Sequence, residues 1–154
     1  MFRVEHAERK HAAEVSECLS ELDFAGRRFF DEPALLALIE RQLLFVAIET
    51  SLGDERVAGA MVLVYDDHSY KIQAIACRRG SSRKGAGSAL IRMAVEKCRA
   101  EGVPKLWCWS MERYKVSPFY EKQGFDERHL LRRQFFGEDC WLFGKSIDLS
   151  DGGK

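Results

Sequence analysis

Residues Ser82–Gly87 read Ser-Arg-Lys-Gly-Ala-Gly, between a β-like run, Tyr70–Cys77 (YKIQAIAC), and an amphipathic run, Ser88–Arg99 (SALIRMAVEKCR). Strand, glycine-rich basic loop and helix, in this order, point main-chain N–H groups and a helix N-terminus at an anion. Gly85 and Gly87 lack Cβ, so a diphosphate can come close to the backbone. Arg78, Arg79, Arg83 and Lys84 concentrate positive charge beside them. One or two of these four are expected to touch phosphate and the others to stay in water. A phosphate-bearing ligand is the first expectation.

The basic loop is a local feature, because 24 basic and 24 acidic residues give a formal net charge of zero. No global field favours nucleic acid or an anionic membrane, so a small polyanion suits the loop better than a long one. No apolar run approaches the roughly 20 residues that span a bilayer, and the N-terminus MFRVEHAERKHAAEV has no signal-peptide core. The five cysteines, Cys18, Cys77, Cys98, Cys108 and Cys140, are odd in number and include no Cys-x-x-Cys pair. They read as buried thiols in a reducing, cytoplasmic setting, with neither a disulfide framework nor a metal site.

The periodicities predict one α/β domain over 1–148, with a mixed, mostly antiparallel central sheet flanked by helices, and a flexible tail over 149–154. Phe2–Glu5 reads as a short strand, and Glu8–Leu22 as a helix with Ala12, Val15, Cys18, Leu19 and Leu22 on one face. Asp23–Asp31 is loop-like, and Pro33 suits the first turn of a helix to about Gln42. Leu44–Glu49 and Val57–Tyr65 read as strands joined by a hairpin turn over Ser51–Glu55. After Tyr70–Cys77 and the loop, a helix with Leu90, Ile91, Ala94 and Cys98 on one face ends at Gly102 and Pro104. Leu106–Ser110 is a further strand. Ser117 reads as the N-cap of a short helix through Lys122, with Pro118 in its first turn. His129–Phe136 and Cys140–Ile147 pair as a hairpin.

Three phosphate-loop patterns compete. A P-loop requires Gly-x-x-x-x-Gly-Lys-Ser/Thr, and here Ala86-Gly87 follows Gly85. A dinucleotide fingerprint requires Gly-x-Gly-x-x-Gly/Ala after an early strand of a parallel sheet, and Gly85–Leu90 misses the last glycine. The third pattern fits. Cys77–Gly87 followed by a helix resembles the acetyl-CoA-binding segment of the GNAT (GCN5-related N-acetyltransferase) superfamily, whose pattern is Gln/Arg-x-x-Gly-x-Gly/Ala. Ser82 stands where Gln or Arg is usual. Phe119-Tyr120-Glu121-Lys122-Gln123-Gly124-Phe125 closely resembles the superfamily's Phe-Tyr-Glu-Lys-x-Gly-Phe signature, at the right distance beyond the loop. An Asn and an Ala common just upstream are replaced by Arg113 and Val116. The resemblance covers about residues 44–147.

The resemblance implies a GNAT-like fold and transfer of an acetyl group from acetyl-CoA to a primary amine, by direct attack in a ternary complex. A CoA-binding sensor or scaffold domain without turnover is the rival. Along the cofactor it implies Ile75 and Cys77 at the strand end, then Ser82, Arg83, Lys84, Gly85, Ala86, Gly87 and Ser88 around the diphosphate, with Phe119 further on. It implies that Tyr120 protonates the departing thiolate, and that the Cys77 main-chain N–H polarises the thioester carbonyl. Tyr70–Cys77 has no Asp, Glu or His, so the base is open among Asp66, Asp67, His68, Glu112 and water. Asp23, Asp31 and Glu32, beside Phe24, Phe29 and Phe30, are expected to attract the ammonium group of the acceptor. A homodimer is allowed and not required.

Overall fold

Two strands carry runs of buried residues too long for a sheet wetted on one side. Leu44–Ile48 and Val57–Leu63 are buried without a break, as expected of strands covered on both faces. They belong to β2 (Leu44–Ser51) and β3 (Asp54–Asp66) of a computed structural model that describes residues 2–81 and 85–150. The other elements are β1 (Phe2–His6), α1 (Ala12–Leu19), α2 (Glu32–Glu40), β4 (Ser69–Cys77), α3 (Ala86–Glu101), β5 (Lys105–Met111), α4 (Ser117–Lys122), β6 (Glu127–Phe135) and β7 (Glu138–Ser146). Seven strands form one sheet in the order β1-β2-β3-β4-β5-β7-β6. The β1–β2, β2–β3, β5–β7 and β6–β7 pairs are antiparallel, and β4–β5 is parallel. The mixed, mostly antiparallel α/β sheet expected from the sequence is what forms. Among the described residues, no helix is long and apolar enough to cross a membrane.

The chain divides into two units. The first holds the chain through Val64 together with Ile72–Met93, and the second holds Tyr65–Lys71 and the chain from Ala94. In the first, Val15, Cys18 and Leu19 of α1 and Leu35 of α2 cluster with Val46, Ile48, Val57, Ala60, Val62 and Ala74 of the strands. The helix expected over Glu8–Leu22 is broken into a 3₁₀ turn (Arg9–His11), α1 and a second 3₁₀ turn (Ser20–Leu22). A capping box at Glu8, whose N–H donates to His11 Nδ1 at 3.0 Å, closes the first of these turns. Glu5, Glu8 and His11 bring ligand-type atoms within 4.8 Å of one another.

Ala47 pairs with Gly59 and Ile48 with Val57, so Ala58 is the extra residue of a β-bulge in β3. Gly59, just beyond it, is a close-packing point. A Cβ there would stand 3.3 Å from Ala76 O, Cys77 Sγ and Leu90 Cδ1.

The second unit buries Leu106, Cys108, Tyr120, Phe125 and Phe143. All three tryptophans lie in it. The Lys71 ammonium sits 5.2 Å and 5.6 Å from the Trp107 and Trp109 rings, and the Arg128 guanidinium 4.6 Å from Trp141. Ser117 is the first residue of α4 and not its cap. Val116 occupies the N-cap and no side chain closes it, so the helix start relies on Pro118. The turn after β2 is tighter than expected, because β2 and β3 extend to Ser51 and Asp54 around Leu52-Gly53. Of the tail expected over 149–154, residues 151–154 lie outside the described residues.

Candidate functional site

The approach to the glycine loop is pinned at Arg78. Its N–H donates to Ala58 O at 2.7 Å and its Nε to Val57 O at 2.9 Å. Its guanidinium pairs with Glu14 Oε2 at 2.9 Å, and the same oxygen accepts the Val57 N–H at 2.8 Å. Beside the bulge, Glu14 of α1 accepts the Val57 N–H and Arg78 donates to the Val57 carbonyl. Arg78 is therefore spent on the fold, with 19% of its side chain exposed. Of the four basic residues, it is one that phosphate does not need.

A turn follows, closed by Ser81 N–H to Arg78 O at 2.9 Å, with Gly80 at φ +86°. Ser81 is wholly buried, and its Oγ has no hydrogen-bond partner among the described residues. Ser82, Arg83 and Lys84, expected at the diphosphate, lie outside the described residues. The chain resumes at Gly85 with φ +100°, a conformation that favours glycine. Ala89 N–H donates to Gly85 O at 2.9 Å and starts α3. Ala86 is fully buried, and no carboxylate stands in the first helical turn. The N–H groups of Ala86, Gly87 and Ser88 thus lie at the positive end of a 16-residue helix. The Gly87 N–H also bonds to the Cys77 sulfur. Burial pushes the Cys77 thiol up, and that N–H pulls the other way.

Ile75 and Cys77 are both half-buried at the end of β4. The parallel ladder of β4 with β5 is confined to Tyr70–Leu106 and Lys71–Trp107.

The Phe-Tyr-Glu-Lys-Gln-Gly-Phe segment forms α4 and its stop. Gly124 at φ +84° ends the helix, and Phe125 N–H returns to Tyr120 O at 3.0 Å, a Schellman closure. This folds Phe125 onto Tyr120 with ring centroids 5.1 Å apart. Phe119 meets Tyr120 edge-on at 5.1 Å, and Phe143 stacks on it at 4.7 Å and 20°. The Tyr120 hydroxyl bonds to the Cys108 sulfur. Burial, then Cys108, holds the phenol well above its ordinary range, and burial pushes the Cys108 thiol up to about 12. Tyr120 is thus both core aromatic and a hydroxyl kept protonated.

The candidate bases are placed less favourably. Asp66, Asp67 and His68 are exposed on the β3–β4 turn, with Asp67 and His68 at φ +49° and +57° and His68 Nδ1 2.8 Å from Tyr65 Oη. Glu112 pairs with Lys115 and accepts the Trp141 Nε1–H at 2.9 Å. Those two partners, Lys115 first, hold its carboxyl below the usual range, which weakens it as a base. In the acceptor loop, Asp31 accepts the Ala34 N–H at 3.0 Å as the α2 N-cap, and Phe30 packs against the core. Asp23 instead borders an open depression of about 360 Å³ that also includes Arg27 and Arg28.

The sequence alone did not single out Ser81, the anchoring of Arg78 by Glu14, or Cys108 beside Tyr120. A bulge and a contact between residues 14 and 78 leave no local pattern. Cys108, by contrast, sits in strand alternation opposite Phe143.

Comparison with known proteins gives the family. No protein of curated function matches the chain in sequence. Among solved structures, Ard1 from Thermoplasma volcanium superposes with a TM-score of 0.78 at 17% identity, over 96% of this chain and 98% of that one. The ribosomal-protein-S18-alanine N-acetyltransferase from Escherichia coli gives 0.73 at 20% identity, over 97% and 96%. The putative acetyltransferase yncA from Salmonella typhimurium, solved with its cofactor acetyl-CoA, gives 0.74 at 18% identity, over 96% and 95%. At these identities the likeness speaks for the fold. The model of the acetyltransferase (GNAT) family matches residues 7–125. The chain belongs to the acetyltransferase (GNAT) family.

Proposed function

We propose that this chain, with residues 1–148 acting as one domain, transfers an acetyl group from acetyl-CoA to a primary amine by direct attack in a ternary complex. The observation that carries the reading is the start of α3: Gly85 at φ +100° and no carboxylate in the first turn. These features fit a diphosphate, with Gly85, Ala86 and Ser88 holding it through main-chain N–H groups and Gly87, which has no Cβ, letting it come close. Acetyl-CoA supplies the activated acyl group.

The half of β4 that carries Ile75 and Cys77 offers main-chain groups to the rest of the cofactor, as an added strand would use them. The Cys77 N–H polarises the thioester carbonyl. Tyr120, kept protonated by burial, returns a proton to the departing thiolate. Glu112, with its carboxyl held low, is a poor base. The amine then loses its proton to water, and holding the reactants together supplies much of the rate.

The test measures free-thiol release from acetyl-CoA across polyamines, aminoglycosides, amino acids and peptides with a free α-amine. Peptides enter because one structural neighbour is named as an N-acetyltransferase for alanine of a ribosomal protein. Amine-dependent thiol release supports the reading. CoA binding without turnover on any arm would leave a CoA-binding module instead.

A further inference from the structure

Arg78 follows Cys77 directly at the end of β4 and bonds to two successive carbonyls of β3. Its main-chain N–H reaches Ala58 O at 2.7 Å and its Nε reaches Val57 O at 2.9 Å. Its Nη2 donates to Glu14 Oε2 at 2.9 Å, and that same oxygen accepts the Val57 N–H at 2.8 Å. Nη1 stands 3.5 Å from Glu17 Oε2, one turn further along α1. A ring of bonds thus closes through Arg78, Val57 and Glu14, and it ties α1 and the bulged stretch of β3 to the end of β4. Close by, Gly59 packs so tightly that a Cβ there would stand 3.3 Å from Ala76 O and from Cys77 Sγ. A guanidinium fork can serve a main-chain carbonyl and a carboxylate at once, and the single ammonium point of a lysine cannot reproduce it. A main-chain donor that stabilises developing charge gains from being fixed before the reaction starts.

We infer that Arg78 is a positioning residue for acyl transfer: its brace to Val57, Ala58 and Glu14 holds the end of β4 so that the Cys77 N–H stays aimed at the thioester carbonyl. The inference rests on the proposed use of that N–H. Arg78 in this role touches neither acetyl-CoA nor the amine. It acts through the main chain, because the Cys77–Arg78 peptide carries the N–H that Ala58 O fixes. A looser brace leaves acetyl-CoA bound and slows its turnover, since such a donor contributes most in the transition state.

The experiment compares wild type with Arg78→Lys, which keeps the charge and loses the fork. Calorimetric titration gives the affinity for acetyl-CoA, and single-turnover thiol release with an accepted amine gives the rate. The infrared stretch of acetyl-CoA, isotope-labelled at the thioester carbonyl, gives the polarisation of that bond and needs no amine. Binding to wild type should lower the stretch. Arg78→Lys should lose part of that shift, slow transfer about tenfold or more and hold affinity within about twofold. A folded Arg78→Lys with the wild-type stretch overturns the inference, even if its melting temperature falls, because the brace would then serve stability alone. So does a wild-type rate, and so does a loss of affinity at an unchanged rate, which would mean ground-state binding. Should Arg78→Lys not fold, Glu14→Gln keeps an acceptor for the Val57 N–H, weakens the ion pair and is judged by the same outcomes. A stretch that binding to wild type does not lower would instead overturn the proposed role of the Cys77 N–H.

Discussion

Replacing Tyr120 by Phe separates the two roles that the structure gives this residue. The ring is 4% exposed and stacks on Phe143, with Phe119 and Phe125 edge-on. All of that packing survives in Tyr120→Phe. What is lost is one hydroxyl and its bond to the Cys108 sulfur. A neutral bond of this kind contributes about 1 kcal/mol, which for a domain of this size lowers Tm by roughly 2–4 °C. Loss of the acid should lower kcat by roughly 10²- to 10⁴-fold. CoA affinity should stay within about twofold, because the effect is confined to proton transfer. The phenol is held well above its ordinary range, so it stays protonated through neutral and mildly alkaline pH. The wild-type kcat should therefore show no descending limb from Tyr120 below about pH 10. Single-turnover thiol release, with a melt and a CoA titration on the same samples, supplies the three numbers. Near wild-type single-turnover rates in Tyr120→Phe would refute the acid role and return the residue to the core.

Arg78→Ala should destabilise by about 1.5–3 kcal/mol, since Glu14 and Val57 O lose a charged partner; Glu14→Gln, which keeps an acceptor for Val57 N–H, should cost less than Glu14→Ala in urea titrations. Gly85→Asp places a side chain at φ +100° and a negative charge at the α3 N-terminus, so thermal stabilisation by CoA should disappear from a protein that still melts cooperatively. Burial raises the Cys18 and Cys98 thiols to about 11 and Cys108 to about 12, from an ordinary 9.0. The unfolded chain therefore releases these protons from pH 9 upward while the folded chain keeps them. Their contribution is complete below pH 9 and drains away as pH rises toward 11–12. Urea midpoints under reducing conditions should fall across that window, and a flat profile would contradict it.

The parts of the fold that were legible in the sequence are those set by local chemistry. Gly102 and Pro104 mark the end of α3: Val103 N–H closes on Cys98 O at 2.8 Å in the manner expected of a C-terminal glycine. Gly124 stops α4 in the same way. Buried runs such as Leu44–Ile48 are plain in the sequence, although their ends shift by a few residues, because strand ends are set by partners. Ser117 is misjudged as a cap since Ser-Pro carries that signal whether or not the serine bonds back. The glycine-rich entry to α3 is readable as a pattern. What surrounds it is not: Glu14, Val57 and Arg78 meet through a bulge, and Asp31 turns from a candidate acceptor contact into a helix cap. The Glu14, Val57 and Arg78 contacts join residues 21 to 64 positions apart, which no window of the sequence spans, whereas the Asp31 cap is local, three residues from Ala34.

The placement of the three tryptophans has a spectroscopic consequence. Trp107, Trp109 and Trp141 all belong to the second unit, and the first has none. Indole emission consequently watches only half of the molecule, and it does so with a cation near each ring. Far-UV ellipticity draws on both halves, since α1, α2 and the first half of α3 lie in the other unit. The two optical signals thus differ in reach: emission reports the second unit alone, and ellipticity reports both. Coincident melts would mark a single cooperative transition, and emission that moves before or after ellipticity would resolve the order in which the halves let go, with no label attached.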